Sequence, residues 1–410
     1  MYHRLFQNRD FVALWLGQTI SFIGDYFNWL AVPITINRLT GSATMVGLSF
    51  IFNSIPALVL GPFAGVFVDR WDRRRVMIVS DVLRGLLVLC LLTIRSANQV
   101  WIFYLIGFLI SCTSQFFIPA RGAVLPLIVT DQEDWLAANG MMQIVQTIGM
   151  LAGPALAGFA IGQWGAHTAF IANSIGYLAS AAAVLTIRVP RTTPGSFTGA
   201  ALRAVFQDLR DGLSFLVHHR ATVGVTVSMA VAFLGVGAIN VIWVPYLQRA
   251  FGVGAQGLGI VDSAMGMGML ISGAILGWIG MRVRRSVLTS TGLLVMGILF
   301  GMMGYSPAFS WIVVENFFVG LFLLPVQSAS TTILQIHVPD LKRGRVMSSI
   351  TAITTCASLL SMAFASFLGE RIGLNNVYLV VGAFISLSGT LSFWLLAEQP
   401  VSSPANVEMG

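Results

Sequence analysis

The stretch Gly65-Val66-Phe67-Val68-Asp69-Arg70-Trp71-Asp72-Arg73-Arg74-Arg75 passes from an apolar run into a cluster of arginines and aspartates. Behind it, residues 43 to 67 carry no charged side chain, and ahead of it residues 76 to 95 turn apolar again. A hydrocarbon core about 30 Å thick takes ~20 apolar residues per helix. The stretch therefore reads as the turn between two membrane spans. Working outward by the same test gives twelve spans: 12 to 36, 43 to 67, 76 to 95, 100 to 120, 140 to 163, 166 to 187, 221 to 247, 255 to 281, 287 to 305, 309 to 329, 346 to 368 and 375 to 397.

Composition agrees. Of 410 residues 56% are hydrophobic and 10% charged, and the mean hydropathy is +0.83, where a soluble domain has about 25% charged residues. A water-soluble enzyme is excluded, because even the outer surface must be largely apolar. The net charge of +7 reflects topology rather than nucleic-acid binding. Of the 23 Lys and Arg, all but Arg38, Arg95, Arg249 and Arg371 fall on the side of the termini, so positive charge places both termini in the cytoplasm. The opening residues read as the first span rather than a cleaved signal. Cys90, Cys112 and Cys356 lie in apolar runs and are expected as buried small hydrophobes. The five histidines have no ligand spacing, so neither metal nor cofactor is expected. No P-loop precedes a helix, which leaves ATP out as the driving force. Gly252-Val253-Gly254 lacks the preceding strand that a nucleotide loop needs.

Residues 188 to 220 form the longest polar stretch and divide the chain into an amino-terminal bundle, 1 to 187, and a carboxy-terminal bundle, 221 to 410. Within the linker Leu202, Val205, Phe206, Leu209, Leu213 and Leu216 recur at helical spacing opposite Arg203, Gln207, Arg210 and Asp211, the pattern of a helix lying on the membrane face. Val32-Pro33 with Gly41 is echoed by Val244-Pro245 with Gly252, and Val129-Thr130-Asp131 by Val338-Pro339-Asp340. That displacement of about 210 residues is what two sequential six-helix repeats produce.

The stretch quoted first resembles the signature loop G-x-x-x-D-R-x-x-R-R of the major facilitator superfamily, carried here by Gly65, Asp69, Arg70, Arg73 and Arg74. Gly149, Gly153, Pro154 and Gly158 resemble the fifth-helix element of that superfamily's exporters, where small residues allow close helix contact and the proline permits a bend. Further likeness lies in Leu14-Trp15-Leu16-Gly17-Gln18, Thr40-Gly41-Ser42-Ala43, Pro119-Ala120-Arg121 and Gly344-Arg345-Val346, and together these resemble the macrolide-efflux type of drug exporter. The resemblance implies an all-α membrane protein with twelve helices in two pseudo-symmetric bundles, a central cavity and alternating access. It also implies export of an amphipathic small molecule, drug, macrolide-like or siderophore-like, against proton influx, by a monomer in the bacterial inner membrane. It further suggests that Asp69 caps the start of span eleven near Val346 to Ser349 when the cytoplasmic side closes. Two departures stand out: Asp72 replaces a glycine common in the loop, and residues 96 to 120 hold no Arg or Lys where many proton-coupled exporters keep a buried arginine.

A carboxylate at membrane depth is costly and marks function by default. Asp25, Asp262 and Glu315 qualify, with Asp25 the leading proton-coupling candidate because span one offers no Lys or Arg to hold it ionised. Gln18, Ser21, Asp25 and either Asn28 or Trp29 share one helix face, which should look into the cavity. Ser111, Gln115, Gln143, Gln146, Asn240, Trp243 and Asn316 are further cavity candidates. Met265, Met267 and Met269 suggest either core filling or an adaptable pocket. A facilitator or importer of a small organic solute is the alternative within the class, and a membrane-embedded enzyme or a non-transporting receptor the alternative outside it.

Overall fold

The computed structural model describes residues 2–189, 199–279 and 283–396. Pro190, Pro194 and Gly195 of the linker, and the tail after Leu396, lie outside the described residues. Among those described the regular structure is helical: α1 (Tyr2–Gln7), α2 (Arg9–Thr40), α3 (Ala43–Val59), α4 (Gly61–Val68), α5 (Arg73–Cys90), α6 (Trp101–Ile128), α7 (Gln132–Trp164), α8 (Ala166–Thr186), α9 (Gly199–His218), α10 (Arg220–Phe251), α11 (Ala255–Ile279), α12 (Arg285–Met303), α13 (Phe309–His337), α14 (Asp340–Ile372) and α15 (Leu374–Leu396).

Among the described residues ten helices are long and apolar enough to cross a membrane, and α3 with α4 form an eleventh span bent by 52°. The bend falls at Leu60 because Pro62, in the first turn of α4, has no N–H for the carbonyl four residues back. The remaining span is α2, 32 residues long, about 48 Å at 1.5 Å per residue, with Asp10, Asp25 and Arg38 diluting its hydropathy. Helix ends follow local chemistry. Asn8 caps α2 by accepting from the Asp10 and Phe11 amides, and Asp72 caps α5 by accepting from Arg75 N at 3.0 Å. The aspartate that departs from the usual loop glycine is thus a helix cap. Gly41 and Gly252 end α2 and α10 with the same φ of 64°, a left-handed conformation that glycine adopts without steric cost.

Helices α2 to α8 pack among themselves, as do α10 to α15, and the two groups meet along α7 with α11 and α3 with α14. The distribution of polarity is the reverse of a soluble protein. Asp81, Asn173, Ser180, Thr289 and Ser388 are fully buried, while Leu136, Trp164, Leu360, Phe367 and Trp394 are exposed. In lipid, apolar outer surface carries no penalty, and interior hydroxyls and amides tie helices together. For the same reason the expectation for the cysteines is corrected. Cys90 and Cys356 are exposed and Cys112 is half-buried, since an apolar run fixes membrane depth and not burial in protein.

Helix α9 docks on α14 instead of merely lying on a membrane face. Arg345 pairs with Asp208 at 2.7 Å and Asp211 at 3.1 Å, and Ser349 Oγ donates to the Leu209 carbonyl at 3.3 Å. On its other flank the Phe206 ring meets Phe63 of α4 at 5.5 Å.

Candidate functional site

A cavity of about 540 Å³ lies between the two groups of helices, within the range of sites for drug-sized ligands. Its walls are Phe22, Asp25, Tyr26 and Trp29 of α2, Met150 and Pro154 of α7, Asn240 and Trp243 of α10, Asp262 and Met265 of α11, Met296 and Phe300 of α12, and Asn316 of α13. Two carboxylates, one from each group, therefore face a largely aromatic and thioether surface. A second cavity of about 510 Å³ adjoins it, with Asp25, Trp29, Pro33 and Phe50 lining both.

Asp25 accepts a hydrogen bond from Tyr177 of α8 at 2.5 Å. Behind Tyr177 the Arg84 guanidinium is held over the Tyr177 ring at 4.5 Å and the Phe117 ring at 4.2 Å, and it pairs with Asp81. Asp81 and Arg84 are both buried, at 0% and 5% exposure. This corrects two expectations. A fourth membrane-embedded carboxylate exists, and Arg84 belongs to the bundle interior, not to the cytoplasmic charge cluster. The signal was an Asp and an Arg three residues apart on one face of an otherwise apolar helix.

Arg121 corrects a third expectation. Helix α6 runs on to Ile128, so Arg121 is a helical residue, donating to Gln18 Oε1 at 3.0 Å and lying 5.4 Å from the Phe22 ring. The fourth span does carry an arginine, half-buried and one residue beyond the boundary drawn from hydropathy.

The polar stripe of α2 divides. Asp25, Asn28 and Trp29 line the cavities, whereas Gln18 and Ser21 face protein: Gln18 donates to Ser180 at 3.0 Å and both are buried. Ser111 and Gln115 line the second cavity; Asn240, Trp243 and Asn316 line the first, where Asn316 also donates to the Val261 carbonyl at 2.8 Å. Gln143 and Gln146 bond each other at 3.2 Å and line neither. Glu315 also lies away from both, accepting from Ser306 Oγ at 2.6 Å near the end of α12. Of the methionine trio only Met265 reaches the cavity: Met267 points to nearly the opposite side, and Met269, on the same face, lies one turn further along the helix; Met296 joins it from α12.

The exporter-like element forms the seam. A Cβ on Gly153 would lie 2.7 Å from the Tyr26 ring, and one on Gly158 would lie 2.6 Å from the Ala255 carbonyl oxygen of α11, while Gly149 sits against Phe22. Helix α7 is thereby wedged between α2 and α11.

The end of the bundle away from the termini is latched. Asn37 Nδ2 donates to Gln248 Oε1 at 2.6 Å, Arg249 reaches Glu370 at 3.3 Å and the Gly41 carbonyl, and Glu370 Oε1 accepts from Ala43 N at 2.7 Å. Thr44 Oγ1 adds a bond to the Ser366 carbonyl. At the opposite end the signature loop holds to its own bundle. Asp69 pairs with Arg73 at 3.7 Å, and Arg74 donates to the Val184 and Leu185 carbonyls. The expected cap on span eleven is corrected in its address, since α14 begins at Asp340 and the amides of Val346 to Ser349 already lie inside the helix.

The chain spans nearly the full length of its relatives. It is 25% identical to Macrolide efflux protein A of Streptococcus pyogenes over 379 residues, covering 92% of this chain and 93% of that one. It is 29% identical to the MFS-type transporter YfiS of Bacillus subtilis over 410 aligned positions, with 95% and 94% coverage, and 25% identical to the putative bacilysin exporter BacE of Bacillus subtilis, with 90% and 91%. Among solved structures, the nucleoside transporter NupG superposes with a TM-score of 0.77 at 12% identity, over 95% of this chain and 99% of that one. A bacterial homologue of the iron transporter ferroportin, in an inward-facing state, gives 0.75 at 16%, over 94% and 98%. The profile of the Major Facilitator Superfamily matches residues 14–229 and 225–409, and the chain belongs to that family.

Proposed function

We propose that this transporter exports cationic amphipathic small molecules from a bacterial cytoplasm, exchanging them for protons by alternating access. The observation that carries the reading is the cavity between the helix groups, whose aromatic and thioether walls hold one carboxylate from each side, Asp25 and Asp262. Aromatic faces and a carboxylate together favour an organic cation over a neutral solute. The charge bias of the loops supports cytoplasmic termini, and on that reading the latched end is external and the cavity is closed to the outside. Relatives named for macrolide efflux and bacilysin export support the outward direction.

Asp25 is suited to coupling because it lies between cavity and counter-charge. Cation and proton compete for one carboxylate, and mutual exclusion links the two fluxes. Arg84, screened behind Tyr177, keeps that competition balanced when the site empties.

The test uses energised inside-out vesicles and a fluorescent lipophilic tertiary amine. Wild-type protein should accumulate the amine until an uncoupler collapses the gradient, and Asp25→Asn should fall to the passive level while still binding neutral amphipaths. Full uphill accumulation by Asp25→Asn, or a wild-type rate indifferent to the uncoupler, would overturn the assignment. Asp262→Asn separates the two carboxylates: weaker amine binding with coupling retained is expected.

A further inference from the structure

The second cavity differs in chemistry from the first. Its wall comes from α2, α3 and α6, closed on the far side by Thr355 and Ser358 of α14, and hydroxyls and amides line it where the first cavity is aromatic. Among its described lining residues Asp25 alone is charged.

The hydrogen-bond directions matter more than the number of polar groups. Ser49 Oγ donates to the Val46 carbonyl at 2.6 Å and Ser54 Oγ to the Phe50 carbonyl at 2.8 Å. A serine hydroxyl has one proton, and once its own helix takes that proton the oxygen can only accept. The amides are only half committed. Asn53 Nδ2 donates one proton to the Gly107 carbonyl and Gln115 Nε2 one to the Ser111 carbonyl, each at 3.4 Å, which leaves each amide its oxygen and one N–H. Asn28 Oδ1 is buried with no partner among the described residues. The Tyr177 hydroxyl, the natural donor in this wall, is already spent on Asp25.

We infer that this chamber is a subsite for a neutral, donor-rich group of the substrate, a glycosyl or comparable polyol, bound beside the ammonium at Asp25. A polyol hydroxyl both donates to these oxygens and accepts from the N–H groups that the amides keep. A second cation is disfavoured, because the one carboxylate present already faces Arg84 through Tyr177. The Trp29 and Phe50 rings, 5.0 Å apart and edge to face, stand where the chambers join. An amphipath would thus lay its apolar body in the first chamber and its sugar in the second, with the amine between. This extends the reading of the first cavity and rests on it.

The experiment measures equilibrium binding of three tritiated probes to the full chain in lipid nanodiscs: decyldimethylamine, decyl glucoside, and a decyl amine bearing a glucosyl group. The bifunctional probe should bind the wild type more tightly than either parent. Asn53→Leu and Gln115→Leu should each weaken both sugar-bearing probes by about three- to tenfold, the loss of one or two hydrogen bonds. Both variants should leave the plain amine unchanged, which also reports that they fold. Equal affinity of wild type and both variants for the sugar-bearing probes, or a parallel loss of the plain amine, would overturn the subsite. Decyl glucoside binding that responds to Gln115→Leu when the plain amine binds nowhere would uphold the chamber and reject the cationic reading of the first cavity.

Discussion

Single residues in α5 carry more of this structure than its apolar composition suggests. Asp81 is sealed from solvent and its counter-ion Arg84 nearly so, and removing one member of such a pair strands a charge, at about 3–5 kcal/mol. Arg84→Met should therefore lower the thermal unfolding midpoint of the purified protein sharply. Asp81→Asn placed on top of it should recover part of the loss, since both groups are then neutral; tryptophan-fluorescence melts of the two singles and the double give the coupling directly. A double variant less stable than Arg84→Met would show that the pair is not what holds the site. These residues were poorly legible in the sequence for a physical reason. Hydropathy averages over some twenty positions, so one ion pair in an apolar helix disappears into the mean, and Arg121 fell just outside a span ended at residue 120, about two turns before the helix ends at Ile128. Asp25 was legible because nothing charged adjoins it.

At the scale of helices, α7 sets the distance between the two halves. Two of its glycines leave no room for a methyl group: Gly158 against Ala255 and Gly259, Gly153 against Tyr26. Gly158→Ala should oppose the latched arrangement by about 1–3 kcal/mol, the usual cost of overpacking, which is roughly a 5–150-fold shift in conformer ratio. Spin labels at Asn98 and Asn375, both exposed at the latched end, should report a longer distance population by double electron-electron resonance. An unchanged distribution would show that α11 yields without separating the halves. This element was readable in advance as a close-packing motif, because spacing alone states that backbones approach. Which helices it separates was not readable, since that depends on contacts between residues about 100 positions apart. The same limit explains why Gln18 and Ser21 turned inward beside Asp25: a helix face is legible, but its neighbour is not.

For the whole molecule, the proposed orientation rests on charge asymmetry, and surface labelling checks it. Single cysteines at Asn98 and at Gln132, in a background without Cys90, Cys112 and Cys356, lie at opposite ends of the bundle. A membrane-impermeant maleimide added to intact cells should label Asn98→Cys and spare Gln132→Cys; the reverse pattern would invert the topology and with it the direction of transport. The charged cluster of α2, α5 and α6 has a further consequence, in membrane voltage. Asp25 and Asp81 set against Arg84 and Arg121 sum to zero when the site is empty, and a bound proton or a bound monovalent cation adds the same single charge, so both crossings carry equal charge. One elementary charge crossing 100 mV is worth about 2.3 kcal/mol. Swapping one proton for one monovalent cation moves none. Turnover should then be electroneutral, driven by the pH difference alone. A potassium diffusion potential set with valinomycin should leave amine efflux unaltered and accelerate or slow only the efflux of uncharged cargo, for which the returning proton travels uncompensated.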